Sequence, residues 1–415
     1  MNLKSWKILT FINIVTQIPL AFSQSIVSCV PFTPYQDITS NMAGSEPQDL
    51  VEVSQTTGLK SYNLAFVTDG GTCKPIWSGG RTVSSGWGQG LTDRMRSAGI
   101  QYRVSFGGAG STDISKKCSI SQLIDTYQQI INIYQPTCLD FDIVNNSVNS
   151  ANIMTALKTI VVNNPNLKIS FTLPVMPSGL VSDGKNVVTL AKNAGLNFVV
   201  NILTMDYGSS YPGDMAQYAI EAATNTFSYL QTLYPLDTDD KLWHMIALTP
   251  MIGVNDIPTE VFTLNNTDTL TNFAHTKHLA WLSMWSLGRD RPCSSNKASS
   301  GCSGVNAQTK QYEFSQHFLQ RSPPPPADCL PLTNISSEVS TDKKSVTISW
   351  QAPTSSLAIL NYQVNDYKDS LLWKGSALSY TDTSLPGTKG SFAYNLYSIC
   401  ANGMSEGVKY IVVIP

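Results

Sequence analysis

The chain has 415 residues, 42% of them hydrophobic and 13% charged, with a formal net charge of −2. That is enough apolar material for a large core and for more than one domain. A balance this close to neutral gives no electrostatic handle on nucleic acid or on an anionic membrane surface, so neither is expected as a partner.

The N-terminal stretch MNLKSWKILTFINIVTQIPLAFSQS has Lys4 and Lys7 ahead of an apolar run from Ile8 to Phe22, with small residues at Ala21 and Ser23. It reads as a secretory signal peptide over residues 1–23, which predicts a secreted, extracellular protein. The run is short for a membrane span, and no second stretch of about 20 apolar residues follows. Eight cysteines suit an oxidising compartment. Cys293 and Cys302 would close a Gly/Ser-rich loop and Cys329 and Cys400 would staple the C-terminal segment. Cys29, Cys73, Cys118 and Cys138 can pair in three ways, which stay open.

Over residues 24–320, short runs rich in β-branched residues alternate with helical periodicity. The runs are Ile26–Phe32, Tyr62–Val67, Tyr102–Phe106, Leu139–Val144, Lys168–Val175, Phe198–Met205, Met245–Pro250 and Leu279–Trp285. Stretches such as ISQLIDTYQQIINIY (Ile120–Tyr134) separate them, with apolar residues three and four apart. Eight strand-then-helix units predict an α/β fold, a parallel (β/α)8 TIM barrel, with function at the C-terminal ends of the strands. The proline run at residues 321–328 predicts a linker. Residues 329–415 carry strand patterns between Pro, Gly, Ser and Asp turns and predict a small immunoglobulin-like β-sandwich. That segment resembles a fibronectin type III module, with Trp350 as its core tryptophan and Tyr394 eight residues before Asn402.

The residues that end the strand runs carry the chemistry. In LDFDIV, Asp140, Asp142 and Val144 project to one side of a strand, the barrel interior. Structural layers in such barrels are usually Val, Ile and Leu, so two stacked carboxylates point to function. Asp206 and Tyr207 follow the sixth run and Trp285 ends the eighth. Each alone would more often be core packing, but together they suit a sugar: a tryptophan face stacks on the ring while carboxylates and phenols bind its polar groups. The histidines His244, His275, His278 and His317 share no metal-binding spacing and no CxxC pair occurs, so no metal or cofactor is expected.

Six ordered stretches, VSFGGAG (Val104–Gly110), LDFDI (Leu139–Ile143), FTLPVMPSGL (Phe171–Leu180), NILTMDYGSS (Asn201–Ser210), TPMIGVND (Thr249–Asp256) and SMWSLGRDR (Ser283–Arg291), resemble those of glycoside hydrolase family 18 chitinases of bacterial and fungal type. The resemblance implies a substrate-assisted retaining mechanism, in which the substrate acetamido oxygen attacks its own anomeric carbon, an aspartate orients the acetamido group and a glutamate protonates the leaving oxygen. It places Asp142 and Tyr207 on the acetamido group, Asp206 on hydroxyls, Met205 in the same pocket and Trp285 as its floor. Across the family's catalytic strand this chain reads Thr137, Cys138, Leu139, Asp140, Phe141, Asp142, Ile143 and Val144. Valine stands where the resemblance requires the proton donor, and the first aspartate and the glycine of the motif are replaced too. Gly288 also stands where the family often has asparagine.

A monomeric protein that binds chitin or chito-oligosaccharides without hydrolysing them is therefore expected, with no catalytic residue intact. The alternatives are a slow or altered glycosidase that uses Asp142 or Asp206, and a barrel retained for a protein partner. Sequons begin at Asn145, Asn265 and Asn334. A glycan on Asn145 would stand over the cleft; that asparagine is expected to remain unmodified because it lies so close to the strand end.

Overall fold

The computed structural model describes residues 32–414 apart from 41, 43, 146, 294, 296, 321–328, 354–358, 367–369, 401–402 and 406. The expected signal peptide, Cys29 and the proline run lie outside the described residues. The chain divides into two compact units, Met1–Arg321 and Ser322–Pro415.

The larger unit is a closed barrel of β1 (Tyr35–Asp37), β2 (Ser61–Asp69), β3 (Gln101–Gly107), β4 (Cys138–Asp142), β5 (Lys168–Met176), β6 (Val199–Thr204), β7 (Ile246–Pro250) and β8 (Trp281–Leu282). Neighbours pair in parallel, from β1 on β2 round to β7 on β8. The ring closes where the Thr33 amide donates to the Leu282 carbonyl at 2.9 Å and the Tyr35 amide to the Met284 carbonyl at 3.0 Å. The first strand is thus later than the sequence pattern placed it. Ile26–Pro31 lie outside the described residues, and polar Thr33 and Gln36 hide the strand from a hydrophobicity reading.

The outer ring holds α1 (Leu50–Thr57), α2 (Gln89–Ser97), α3 (Ile120–Tyr134), α4 (Ser150–Asn163), α5 (Ser182–Asn193), α6 (Met215–Leu233), α7 (Leu264–Thr276) and α8 (Glu313–Gln320). Local chemistry starts these helices. Ser119 and Gln122 form a reciprocal capping box on α3, and Asp214 accepts the first amides of α6. α3 then buries Leu123, Tyr127, Ile130 and Tyr134, the stripe its spacing predicts. The apolar core lies between the strands and this ring. Phe141 of β4 stacks on Phe106 at 5.2 Å and meets Tyr127 of α3 edge-on at 5.4 Å. Each such side chain contributes about 1.5–3 kcal/mol by leaving water.

The smaller unit packs two antiparallel sheets around Trp350, Tyr362, Val364, Tyr394, Leu396 and Val412. The Tyr394 hydroxyl donates to Asp382 at 2.8 Å, tying one sheet to the other, and Cys329 bonds to Cys400. In the barrel Cys73 bonds to Cys118 and Cys293 to Cys302. Among the described residues, no helix is long and apolar enough to cross a membrane.

Candidate functional site

Because Phe141 faces the helices, Asp140 and Asp142 face the barrel interior. The interior differs from the aliphatic layers expected of it. Around Asp140 it is a shell of hydroxyls: Tyr35 at 2.7 Å and Ser105 at 2.6 Å donate to Oδ2, and Ser170 at 2.6 Å and Thr172 at 2.8 Å donate to Oδ1. Asn201 extends the shell by donating to Thr172 at 3.0 Å and accepting from Thr249 at 2.8 Å. Below it Arg103 donates to Thr33 and Asn63, both at 2.8 Å, and lies 3.9 Å from the Trp281 ring centroid. Four donors fill the two carboxylate oxygens of Asp140. This carboxylate has a structural role as well as any functional one.

Asp142 is the opposite case. It is 8% exposed, and its buried Oδ1 has no hydrogen-bond partner. Burial first, and then the charge of Asp140, push its pKa well above the ordinary carboxylate value. Asp142 therefore favours its protonated form, a hydrogen-bond donor at the upper end of the barrel. The strand ends there, and Val144, half-buried, follows. Beyond it the Asn145 amide donates to the Ala109 carbonyl at 3.1 Å, and its Oδ1 accepts from the Ser147 amide at 2.7 Å. The end of β3 closes tightly on this strand: a Cβ on Gly107 (φ +91°) would lie 2.3 Å from the Asp142 carbonyl oxygen, so only glycine fits.

Across the mouth Trp285 is half-buried, stacked on Phe66 with ring centroids 5.6 Å apart and planes 22° apart; Tyr35 lies 6.0 Å away. These rings form an apolar wall beside the Asp142 carboxyl and the Tyr35 phenol, whose pKa is raised well above its usual value by burial and then by Asp140. Phe66 and Tyr35 were missed by sequence reasoning. Tyr35 follows the run taken for the first strand. Phe66 escapes the alternation set by interior-facing Asn63 because the β2/β3 register shifts between Leu64 and Val67.

The sixth strand delivers its residues unevenly. Interior-facing Asn201 puts Met205 on the same side by alternation, half-buried at the strand end. Asp206 is exposed, yet the surrounding protein raises its pKa, through desolvation first and then Asp256, opposed by the Ile257 amide. Tyr207, expected on the acetamido group with Asp142, is buried just beyond the end of this strand. Its ring packs against Tyr218 of α6 (6.0 Å, 79°) and Tyr211 (6.0 Å, 59°), and its hydroxyl is buried without a partner. The strand ends at Thr204 and Asp206 is left-handed (φ +51°), so the alternation that would aim Tyr207 inward is broken. Gly288 sits in a buried 3-10 turn, Leu287–Arg289. Its neighbour Arg289 donates to the carbonyls of Ile252 at 2.9 Å and Val254 at 2.6 Å, with a pKa lowered to about 10 by burial. Glu260, a further residue not foreseen, is fully buried and accepts from the Gly208 amide at 2.6 Å.

No family model matches the sequence. Among curated proteins it is 29% identical over 309 residues to a probable bifunctional chitinase/lysozyme of Escherichia coli, covering 69% of this chain and 34% of that protein. It is 28% identical over 289 residues to endochitinase 11 of Metarhizium anisopliae, covering 63% of this chain and 52% of that one. The chain thus spans about a third to a half of the length of these relatives. Among solved structures the catalytic domain of a hyperthermophilic chitinase from Pyrococcus furiosus superposes with a TM-score of 0.64 at 31% identity, over 71% of this chain and 96% of that domain. Catalytic-site mutants of that domain, complexed with chito-oligosaccharides, superpose equally well. A barrel that closes with its acids, aromatic wall and glycine-lined strand end at one mouth, and that matches nearly all of such a catalytic domain, belongs to the glycoside hydrolase family 18 chitinases.

Proposed function

We propose that the barrel binds chitin or chito-oligosaccharides and does not hydrolyse them. The single observation that carries this reading is Val144 following Asp142, whose buried Oδ1 is left without a partner. Asp142 in its neutral form would donate to the sugar acetamido oxygen, and Trp285 backed by Phe66 would carry the apolar face of the ring. Met205, Asp206 and Tyr207 would bound the same sugar. Tyr35 is the phenol beside the acids.

Attack by the acetamido oxygen on the anomeric carbon also needs the glycosidic oxygen to leave, and a sugar alkoxide is a poor leaving group. Protonation of that group is worth typically 10²–10⁴-fold, or roughly 3–5 kcal/mol, and a valine side chain cannot supply it. The reading includes export through residues 1–23 and a monomeric protein. Calorimetric titration with chitotetraose and chitohexaose, paired with an assay for reducing ends, tests it. Heat of binding without new reducing ends is the expected result, and absence of measurable binding removes the proposal.

A second reading, slow hydrolysis with Asp206 as the acid, is favoured by the raised pKa of that exposed carboxyl. It requires a slow release of reducing ends that Asp206→Asn abolishes.

A further inference from the structure

Glu260 ends the loop between two short strands, Gly253–Val254 and Val261–Phe262, that pair as a hairpin in the β7 to α7 connection. Its carboxylate is fully buried, and among the described residues no cation pairs with it. A buried charge is costly without compensation, and here the compensation is backbone and partial: burial still raises the Glu260 pKa, and Oε2 has no protein partner. The Gly208 amide donates to Oε1 at 2.6 Å, and the amides of Tyr207 and Asp206 oppose that rise. They converge because Asp206 (φ +51°) and Gly208 (φ +109°) are left-handed, which turns successive N–H groups into a concave anion-holding nest.

The contact is reciprocal. Asp206 Oδ1 accepts from the Ile257 amide at 3.3 Å, so each loop holds the other through a carboxylate. The hairpin is itself fixed: the Asn255 amide donates to the Glu260 carbonyl at 3.0 Å, and the Asn255 side chain donates to Met251 at 2.9 Å and Gly253 at 3.0 Å. Arg289 ties the first hairpin strand to the turn after β8.

We propose that Glu260 is the positioning residue of the sugar-holding loop, its carboxylate fixing the backbone of Asp206–Gly208 so that Met205 and Asp206 stand at the mouth beside Trp285. The inference rests on the saccharide-binding reading and adds the group that pre-organises one side of the site.

The test uses the whole chain with Glu260→Ala and Glu260→Gln, chitohexaose titration, thermal melts, and the amide proton resonance of Gly208 without ligand. Glu260→Ala should weaken chitohexaose binding about tenfold or more. Glu260→Gln, whose side-chain oxygen still accepts from Gly208, should recover most of that affinity. The Gly208 amide proton, held downfield by its charge-assisted bond, should move upfield in both variants and furthest in Glu260→Ala.

A folded Glu260→Ala with wild-type affinity overturns the proposal, and so does a Gly208 resonance that does not move. Should Glu260→Ala fail to fold, the Gly208 resonance in Glu260→Gln decides alone, an upfield move supporting the clasp. If the wild-type chain binds no chitohexaose, the saccharide reading falls, and the clasp stands or falls by the Gly208 resonance.

Discussion

The layer around Asp140 and the mouth around Asp142 are built from the same strand face, two residues apart, and their chemistry is opposite. Below, every oxygen lone pair has a donor: Tyr35, Ser105, Ser170 and Thr172 surround Asp140. Above, Asp142 keeps a buried oxygen without a protein partner, and half-buried Val144 follows two residues on, past the strand end. The lower layer is complete as folded and needs nothing more. The upper one leaves a buried carboxyl oxygen without a protein partner beside an aromatic wall, polar and apolar groups of the kinds a sugar engages. Two identical residue types therefore divide their roles by surroundings: one saturated with donors and structural, the other buried with its pKa raised and an oxygen free of protein partners.

The sharpest way to break that division is to complete the upper layer. Val144→Glu should raise reducing-end release from chitohexaose by about 10²–10⁴-fold over the wild type. No gain at all, in a variant that still binds, would mean that the replaced residues at Thr137 and Cys138 or the mouth beyond Gly288 also block chemistry. The lower layer makes the converse prediction. Asp140→Ala strands several buried hydroxyls at once and should destabilise the fold by about 3 kcal/mol or more, read from denaturant midpoints. Loss of affinity with unchanged stability would show instead that Asp140 belongs to the ligand site.

Much of this division was legible in the sequence, for physical reasons that differ by residue. Asp140 and Asp142 could be placed inward because strand alternation is strict and Phe141 between them is apolar. The barrel followed from strand and helix periods that repeat. What stayed hidden lay where periodicity stops. Phe66 reaches Trp285 where β2 pairing is irregular, and Tyr207 packs against Tyr211 and Tyr218 beyond the left-handed backbone at Asp206. Glu260 lies in a loop, where no period exists to announce a buried charge. The hydroxyls of Ser105, Ser170 and Thr172 read as ordinary polar residues on strands until the ring closes and brings them onto one carboxylate.

The aromatic wall gives a smaller effect. Trp285→Ala removes the stacking face while leaving both carboxylates in place, and chitohexaose affinity should fall about tenfold or more by titration. Unchanged affinity would move the sugar away from the upper layer and undo the comparison from the ligand side.

The smallest effect is the most specific to Asp142. Its pKa is raised well above 3.8 in the folded protein, so the unfolded chain releases its proton at lower pH than the fold does. Below that ordinary value both states are protonated and the stability it contributes is fully present. As pH rises toward the folded pKa the unfolded state alone loses its proton, and stability declines by up to about 1.4 kcal/mol per pH unit. Asp290 has the same sign, with a pKa raised to about 6 by burial, so its contribution levels off above that pH. Comparing the wild type with Asp142→Asn from the ordinary carboxylate value of 3.8 upward isolates Asp142, since asparagine imitates the neutral carboxyl and does not titrate, while Asp290 is common to both. The wild-type melting temperature should fall relative to the variant as pH rises above that value, and chitohexaose affinity should fall in the wild type only, once the pH passes the folded pKa, because a carboxylate that has lost its proton cannot donate to an acetamido oxygen. Curves that stay parallel from pH 3.8 upward would mean that Asp142 gives up its proton as readily in the folded protein as in the unfolded chain, and the contrast between the two layers would lose its electrostatic part.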